Sequence, residues 1–184
     1  MSAGLEPAEL LVAGETVTPE LLAEVSTLPH PARVVGVFRR GDLPAAGPRP
    51  VALALWRVGD PGNVGTLIRT ADAFGASVEL LERCADPTGP KALRASAGAL
   101  FRVPLAPGLG RRIGLVAHGG RPLDAVEVAE PTTFVLGAER GGLSTQIEQE
   151  CDEVVTIPTP GAAESLNVAA AGAIALYEWS RRRG

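Results

Sequence analysis

The sequence predicts an α/β fold in which a mostly parallel sheet carries helices on both of its faces. The first observation is the apolar run Val51–Trp56, which is bounded by turn residues, as expected for a buried parallel strand. The second is that short apolar runs alternate with helical patterns from there onward, as in repeated β-α-β units. The third is the length of 184 residues, which suits one domain or one domain with an appendage.

The first 50 residues differ from the rest because prolines interrupt them repeatedly. Thr18–Val25 has the pattern of a helix, with proline in its first position and three apolar residues on one face. Val34–Phe38 is predicted to form a short strand. The breaker-rich stretch Gly41–Pro50 is predicted to be a linker. We therefore predict a short N-terminal extension with its linker over residues 1–50, and the main domain over residues 51–184.

Strands and helices follow one another through the main domain. The predicted strands are Val51–Trp56, Ser77–Leu81, Ile113–Ala117, Thr133–Gly137 and Val154–Ile157, and Phe101–Leu105 is predicted to be extended. The predicted helices are Val64–Phe74, Pro90–Ala99, Ser144–Cys151 and Ser165–Arg181. Gly75 suits the C-cap of the first of these helices.

The composition excludes several classes of function. With 17 basic and 21 acidic residues the net charge is −4, so the chain is not a generally basic nucleic-acid binder. It has only two cysteines and two histidines, spaced unlike any metal ligand set, so we expect neither a metal site nor a disulfide framework. We expect no signal peptide and no membrane span, because the longest apolar run, Val168–Tyr177, is well short of about 20 residues. A cytoplasmic location is the expectation.

The first polar motif, Asp60–Asp72, follows the first strand of the main domain. Asn63 lies where a helix N-cap is expected, so the simplest interpretation is a capped turn between strand and helix. Arg69 lies at the edge of the apolar helix face. It suits a solvated position or a structural ion pair, and equally a reach toward the strand ends, where ligands bind in open α/β sheets.

Two further motifs interrupt the alternation of strands and helices. Phe134–Ser144 runs from a strand through a turn with three glycines, but its spacing matches no phosphate-binding loop. Glu139 in that turn suits a cation or a hydroxyl donor better than a phosphate. In Ile157–Val168, Glu164 or Ser165 suits a cap for the last helix. Asn167 would then lie one turn inside the helix, where asparagine is unfavourable and needs hydrogen-bond partners.

Together the segments resemble the SpoU-type ribose 2′-O-methyltransferases of the SPOUT superfamily. The similar segments are, in order, DPGNVGTLIRTADAFGA, KALRASAGALFRVPL, FVLGAERGGLS and IPTPGAAESLNVAAAGAIALYEW. The resemblance covers about Val51 to Trp179 and includes all three family motifs in order. It implies a C-terminal deep trefoil knot, whose loops hold S-adenosylmethionine in a bent form.

The resemblance also implies the site residues. The cofactor-binding set is Leu136, Gly137, Ile157, Pro158, Ser165 and Leu166. The catalytic set is Asn63, Arg69, Glu139, Ser165 and Asn167. In this view Arg69 holds an RNA phosphate and stabilises negative charge on the ribose oxygen, while the other polar side chains orient Arg69 and the ribose.

The chain departs from the family pattern in two places. Ala138 and Arg140 stand where the second motif usually has serine and glycine, and only about 50 residues precede the methyltransferase domain, which suggests a reduced substrate-binding segment. The leading hypothesis is methylation of a ribose 2′-hydroxyl in structured RNA, ribosomal or transfer. The alternatives are methylation of a base nitrogen within the same fold and RNA binding without catalysis.

The last helix predicts a homodimer. From Leu166 to Trp179 only Asn167 and Glu178 are strongly polar, so more than one face of this helix must be covered. The alternative is that the first 50 residues fold over it. The resemblance implies dimers in which the knot regions meet and each active site borrows a residue from the other subunit, with Asn63 or Arg69 as the candidate.

Overall fold

The computed structural model of the chain describes residues 5–26, 32–43, 47–162 and 164–183. Contacts divide the chain into two units, with the division between Leu43 and Pro44. This division falls inside the stretch Gly41–Pro50, where the proline-rich linker was predicted.

The N-terminal unit is small. It contains β1 (Glu9–Val12), α1 (Pro19–Val25) and β2 (Val34–Val37), and the two strands pair in an antiparallel manner. The hydroxyl of Thr18 accepts a hydrogen bond from the backbone N–H of Leu21 and caps α1, as the sequence indicates. Of the apolar helix face only Leu22 is buried. A two-stranded sheet offers little apolar surface on which the rest of that face can pack.

The second unit contains one six-stranded sheet in which every neighbouring pair of strands is parallel. Its strand order is β4-β3-β7-β5-β8-β6. The strands are β3 (Val51–Leu55), β4 (Ser77–Leu80), β5 (Arg111–Leu115), β6 (Arg121–Pro122), β7 (Thr132–Leu136) and β8 (Glu153–Thr156). The helices are α2 (Pro61–Phe74), α3 (Pro90–Ser96), α4 (Thr145–Gln149) and α5 (Val168–Arg181). The predicted α/β class is confirmed.

Helices cover both faces of this sheet, as predicted. On one face, Gly172 of α5 packs beside Leu67 of α2 and against Leu53 and Leu136 of the two central strands. On the other face, Ile147 of α4 packs on the buried cluster Ala54, Trp56, Val135 and Leu143. All five residues of β3 and of β7 are buried. In β3 all five are apolar, as expected for a strand that is covered on both faces, whereas β7 begins with the buried polar residues Thr132 and Thr133. The knot implied by the resemblance stays a prediction.

The two long helices α2 and α5 lie side by side and run in the same direction. Asn63 and Asn167 meet near their N-termini, and Phe74 and Trp179 line a shared groove near their C-termini. In a parallel α/β sheet the helices begin beside the carboxyl ends of the strands. This arrangement therefore brings the first and third polar motifs together at one edge of the sheet.

Several local features differ from the predictions, and strand β1 was not predicted. The helix predicted over Pro90–Ala99 ends at Ser96, and a 3₁₀ turn follows over Ala99–Phe101. The segment Phe101–Leu105 was predicted to be extended, but Phe101 belongs to this 3₁₀ turn and Leu105 forms only an isolated β-bridge with Val78 of β4. Strand β6 was not predicted, because two residues are too few to show a pattern. Within the described ranges, none of the helices has the length and apolar character needed to cross a membrane.

Gly65 permits the close approach of α2 and α3. A Cβ atom there would lie 2.3 Å from the carbonyl oxygen of Ala92. Replacing Gly65 with alanine is therefore expected to lower the free energy of unfolding by about 1–3 kcal/mol, although alanine is the better helix former. Thermal and urea unfolding measure this. Gly161→Ala is the control, because a Cβ atom at that position would have no heavy atom within 4 Å, and equal stability of both variants would contradict this packing.

Candidate active site

Three loops that follow parallel strands meet at the carboxyl edge of the sheet. They are the β3–α2 loop, the β7–α4 loop and the β8–α5 loop. Their polar side chains form one hydrogen-bonded network, whose central members are Asn63, Glu139 and Asn167. Three of the five predicted catalytic residues are therefore in direct contact within one chain.

Asp60, rather than Asn63, is the N-cap of α2. The carboxylate of Asp60 accepts a hydrogen bond of 3.0 Å from the backbone N–H of Asn63, and Pro61 takes the first helical position. The ammonium group of Lys91 lies 2.7 Å from the same carboxylate, and this hydrogen bond together with that from Asn63 holds the pKa of Asp60 below its usual value. The prediction that Asn63 is the cap was wrong. Because Asp60 supplies the cap, the side chain of Asn63 is available for the network.

Glu139 connects the second motif to the first. Its carboxylate accepts hydrogen bonds from the backbone N–H groups of Gly59 (3.3 Å) and Asp60 (3.1 Å) and from the Nδ2 of Asn63 (3.1 Å). Partial burial raises the pKa of this carboxyl, but the hydrogen bonds from Asn63 and the neighbouring backbone amides outweigh it and lower the pKa. Ionised Glu139 therefore stabilises the folded protein at pH values above the pKa that this carboxyl has in the unfolded chain. This contribution is lost as the pH falls through the lower pKa that it has in the folded protein.

Asn167 is the N-cap of α5. Its Oδ1 accepts hydrogen bonds from the backbone N–H groups of Ala169 (2.9 Å) and Ala170 (3.4 Å), while its Nδ2 donates to the Oδ1 of Asn63 at 3.2 Å. The prediction that Asn167 lies one turn inside the helix was wrong, because the helix begins at Val168 and not at Ser165. Asparagine is favoured at this cap position, and the side chain is exposed at the site.

Arg69 lies apart from this network. It is exposed on α2, six residues beyond Asn63, which places it about 9 Å further along the helix and about 240° around it. No hydrogen bond or ion pair to Arg69 occurs within the part of the chain that the structure describes. The single chain therefore does not bring this predicted catalytic residue to Glu139 and Asn167.

A cavity of about 430 Å³ adjoins the network and lies beyond the carboxyl ends of β5, β7 and β8. It is lined by five of the six predicted cofactor-binding residues, namely Leu136, Gly137, Ile157, Ser165 and Leu166. Pro158 is not among its lining residues. Its charged or titratable lining side chains are His118, Glu139, Arg140, Glu148 and Glu164. Ser165 is thus placed at the cavity, whereas Glu139 belongs both to the cavity and to the network.

The family of the chain follows from a comparison with family models. The model described as the SpoU rRNA Methylase family matches residues 50–177. This range includes all six strands of the parallel sheet, helices α2, α3 and α4, and most of α5. The chain belongs to the SpoU rRNA methylase family. Among curated relatives, a protein of Mycobacterium avium named an uncharacterized tRNA/rRNA methyltransferase is 40% identical over 154 residues, which cover 76% of this chain. This SpoU-family chain spans half the length of that relative.

Solved structures resemble the SpoU-family chain closely. The SpoU methyltransferase AviRb from Streptomyces viridochromogenes, in complex with the cofactor AdoMet, has a TM-score of 0.74 and 31% identity, covering 91% of this chain and 72% of that one. A structure that addresses 2-OH methylation of C/U34 on tRNA has a TM-score of 0.67 and 27% identity, covering 72% of this chain and 95% of that one.

Sequence reasoning missed three residues at this SpoU-family site. Asp60 and Lys91 form the ion pair that caps α2, and Glu148 lines the cavity from α4. A signal for Asp60 was present, since an aspartate directly before proline is a typical helix start. No sequence signal pointed to Lys91 or Glu148, because their positions depend on how α3 and α4 pack. Among the residues with described positions, no group of three acidic, histidine or cysteine side chains is arranged to hold a metal ion.

Gly137 is required by the backbone of its own loop. A Cβ atom there would lie 2.2 Å from the carbonyl carbon of Gly142, where Ala138 and Gly142 exchange two backbone hydrogen bonds. Gly137→Val is therefore expected to lower the melting temperature and to remove ligand binding together, since the loop must rebuild. Gly161→Ala is the control, because a Cβ atom there would meet nothing within 4 Å and the residue does not line the cavity. Calorimetry and thermal unfolding test this, and a Gly137→Val protein of normal stability would contradict it.

Proposed function

We propose that this chain is an S-adenosylmethionine-dependent methyltransferase that acts on the ribose 2′-hydroxyl of structured RNA, ribosomal or transfer. The observation that carries the proposal is the Asn63–Glu139–Asn167 network beside a ligand-sized cavity at one edge of the sheet. The names of the SpoU-family relatives support an RNA substrate. The similar structure concerned with 2-OH methylation of tRNA supports the ribose hydroxyl. We place this activity in the cytoplasm, in keeping with two cysteines that form no disulfide.

The cavity suits S-adenosylmethionine, which AviRb binds. Its volume lies within the range of about 300–1,000 Å³ that is usual for small-ligand sites. Leu136, Ile157 and Leu166 supply an apolar wall for an adenine ring. Charged side chains of both signs line the same space and suit a ligand that carries charges of both signs. When bound, this cofactor supplies a methyl group on a cationic sulfur.

The network positions polar groups where the ribose would lie. The Nδ2 groups of Asn63 and Asn167 each donate one hydrogen within the network and each keep a second hydrogen for a substrate oxygen. Glu139 fixes the β3–α2 loop through three accepted hydrogen bonds and so orients Asn63. These residues contribute mainly by holding the ribose hydroxyl in line for transfer. Arg69 stabilises the negative charge that develops on that oxygen, because a guanidinium stays protonated.

We further propose that two copies of the chain complete the site. On α5 the exposed residues Ala170, Ile174 and Tyr177 form an apolar row. Helix α5 packs beside α2, on which Arg69 is also exposed. A second copy seated on this row would cover it. Asn63 already contacts its own chain's Glu139, so Arg69 is the residue that would reach the other subunit's network. The N-terminal unit is, in this proposal, a substrate-binding segment.

The test is methyl transfer to RNA from cells that lack the gene. The protein is incubated with that RNA and isotope-labelled S-adenosylmethionine, and the RNA is digested to nucleosides. We expect the label on the ribose of one nucleotide in ribosomal or transfer RNA. Label on a base nitrogen would replace the ribose assignment, and RNA binding without any transferred label would contradict the enzymatic one.

A further inference from the structure

Two opposite charges line the cavity without a partner. Arg140 lies in the β7–α4 loop and Glu148 lies on α4, one on each side of the turn that connects them. Neither side chain makes a hydrogen bond or an ion pair within the described ranges of the chain. They are not paired with each other either, although both border the same space.

Several other charged side chains of this unit are already engaged in ion pairs or hydrogen bonds. Toward the amino ends of β5 and β8, away from the cavity, Arg111 and Arg121 share Glu153, and Arg112 pairs with Glu79. Glu139 accepts two hydrogen bonds from the β3–α2 loop and one from Asn63 in the first turn of α2, so its carboxylate is already engaged. The pair Arg140 and Glu148 is therefore distinctive in leaving both charges available to a ligand.

Burial separates Glu148 from the remaining carboxylate of the lining. Glu164 is exposed in the β8–α5 loop, whereas Glu148 is half-buried. A half-buried carboxylate without a partner loses solvation and gains no compensating contact. A cationic group bound in the cavity would supply that contact, and Arg140 at the rim would serve an anionic group in the same ligand.

We propose that Arg140 and Glu148 hold the amino-acid end of S-adenosylmethionine. Arg140 binds its α-carboxylate, for which the planar guanidinium provides two parallel donors. Glu148 binds its α-ammonium group. This inference rests on the proposed function and adds to it two residues that bind the cofactor by charge. Arg140 then serves the cofactor, and not the RNA backbone.

The pair has a consequence for ligand selectivity. S-adenosylhomocysteine carries the same α-carboxylate and α-ammonium groups without the reactive methyl. 5′-Methylthioadenosine carries the adenosine and sulfur but has no amino-acid group. Changes at Arg140 and Glu148 should therefore weaken the first ligand selectively, while changes that damage the whole cavity should weaken both.

The experiment is isothermal titration calorimetry of the 184-residue chain in the absence of RNA. Arg140→Ala and Glu148→Gln are each expected to raise the dissociation constant of S-adenosylhomocysteine about tenfold, the size of one lost hydrogen bond between charged groups. The dissociation constant of 5′-methylthioadenosine should stay within about twofold. Glu150→Gln is the matched control, because it removes the same charge from the residue next to α4 and does not line this cavity.

Three other results would each overturn the assignment, and each would have a different explanation. Normal S-adenosylhomocysteine affinity in both variants, with weaker RNA binding by Arg140→Ala, would assign Arg140 to RNA and reject the pair. Equal losses for both ligands would mean that these side chains support the loop and do not contact the amino-acid group. A wild-type protein that binds neither ligand would reject the proposed cofactor itself, and the pair with it.

Discussion

Replacing Arg69 with alanine is expected to reduce methyl transfer to RNA by at least about a hundredfold, the usual cost of removing one group that stabilises transition-state charge. The melting temperature and the affinity for S-adenosylhomocysteine should stay unchanged. The reason is the position of Arg69: the side chain is exposed, makes no ion pair with a described residue and does not line the cavity. It therefore has no structural task in the single chain that its removal would disturb.

The control for Arg69 removes the same charge elsewhere. Arg83 is also exposed and lies in the β4–α3 loop, outside the cavity and outside the network, so Arg83→Ala should keep full activity. Arg69→Lys keeps the charge but loses the planar donor pair, and an intermediate rate is expected. An Arg69→Ala protein with near wild-type turnover would falsify the catalytic role.

Placing a charge in the apolar row of α5 should abolish activity by separating two subunits. Ile174 is 38% exposed and Tyr177 is 58% exposed, one turn apart on the same side of the helix. Ile174→Glu adds a carboxylate that a subunit interface would have to bury unpaired. Sedimentation velocity should show a dimer for the wild type and a monomer for the variant at micromolar concentration. The variant monomer should still bind S-adenosylhomocysteine, because the cavity lies within one chain.

The control for Ile174→Glu introduces a carboxylate on a helix that covers the opposite face of the sheet. Thr145 is exposed in the first turn of α4, where an acidic residue is tolerated, so Thr145→Glu should remain dimeric and active. Ala173 is a weaker choice of test site, because it is half-buried beside the row and a charge there would also disturb the fold. A wild-type protein that is monomeric and fully active would contradict the two-subunit site.

Much of the fold could be predicted because its signals are local. The continuous apolar run that became β3 reflects burial on both faces of a parallel sheet. Gly75 ends α2 with φ +66°, the left-handed conformation for which glycine is suited. Element ends moved by a few residues, because hydrogen bonds of caps decide them and several residues can serve as a cap. Asp60 instead of Asn63, and Asn167 instead of Ser165, are examples.

The motifs also identified the residues of the network, but their contacts needed the tertiary structure. Asn63 and Glu139 are 76 residues apart, and Asn63 and Asn167 are 104 residues apart. No local propensity acts over such separations; the strand order brings the three loops to one edge of the sheet. The same holds for Gly65 and Gly137, whose lack of a side chain is required by backbone atoms of α3 and of Gly142.

The sequence by itself determined the α/β class and the places of most strands and helices, since these depend on periodicity and capping, while the predicted site residues came from the resemblance to the family. Only the tertiary structure decided which side chains meet. It joined Asn63, Glu139 and Asn167, left Arg69 on the outer face of α2, and placed Arg140 and Glu148 on one cavity. The physical reason is that hydrogen bonds and burial depend on distances through space, which packing of the whole sheet and its helices sets.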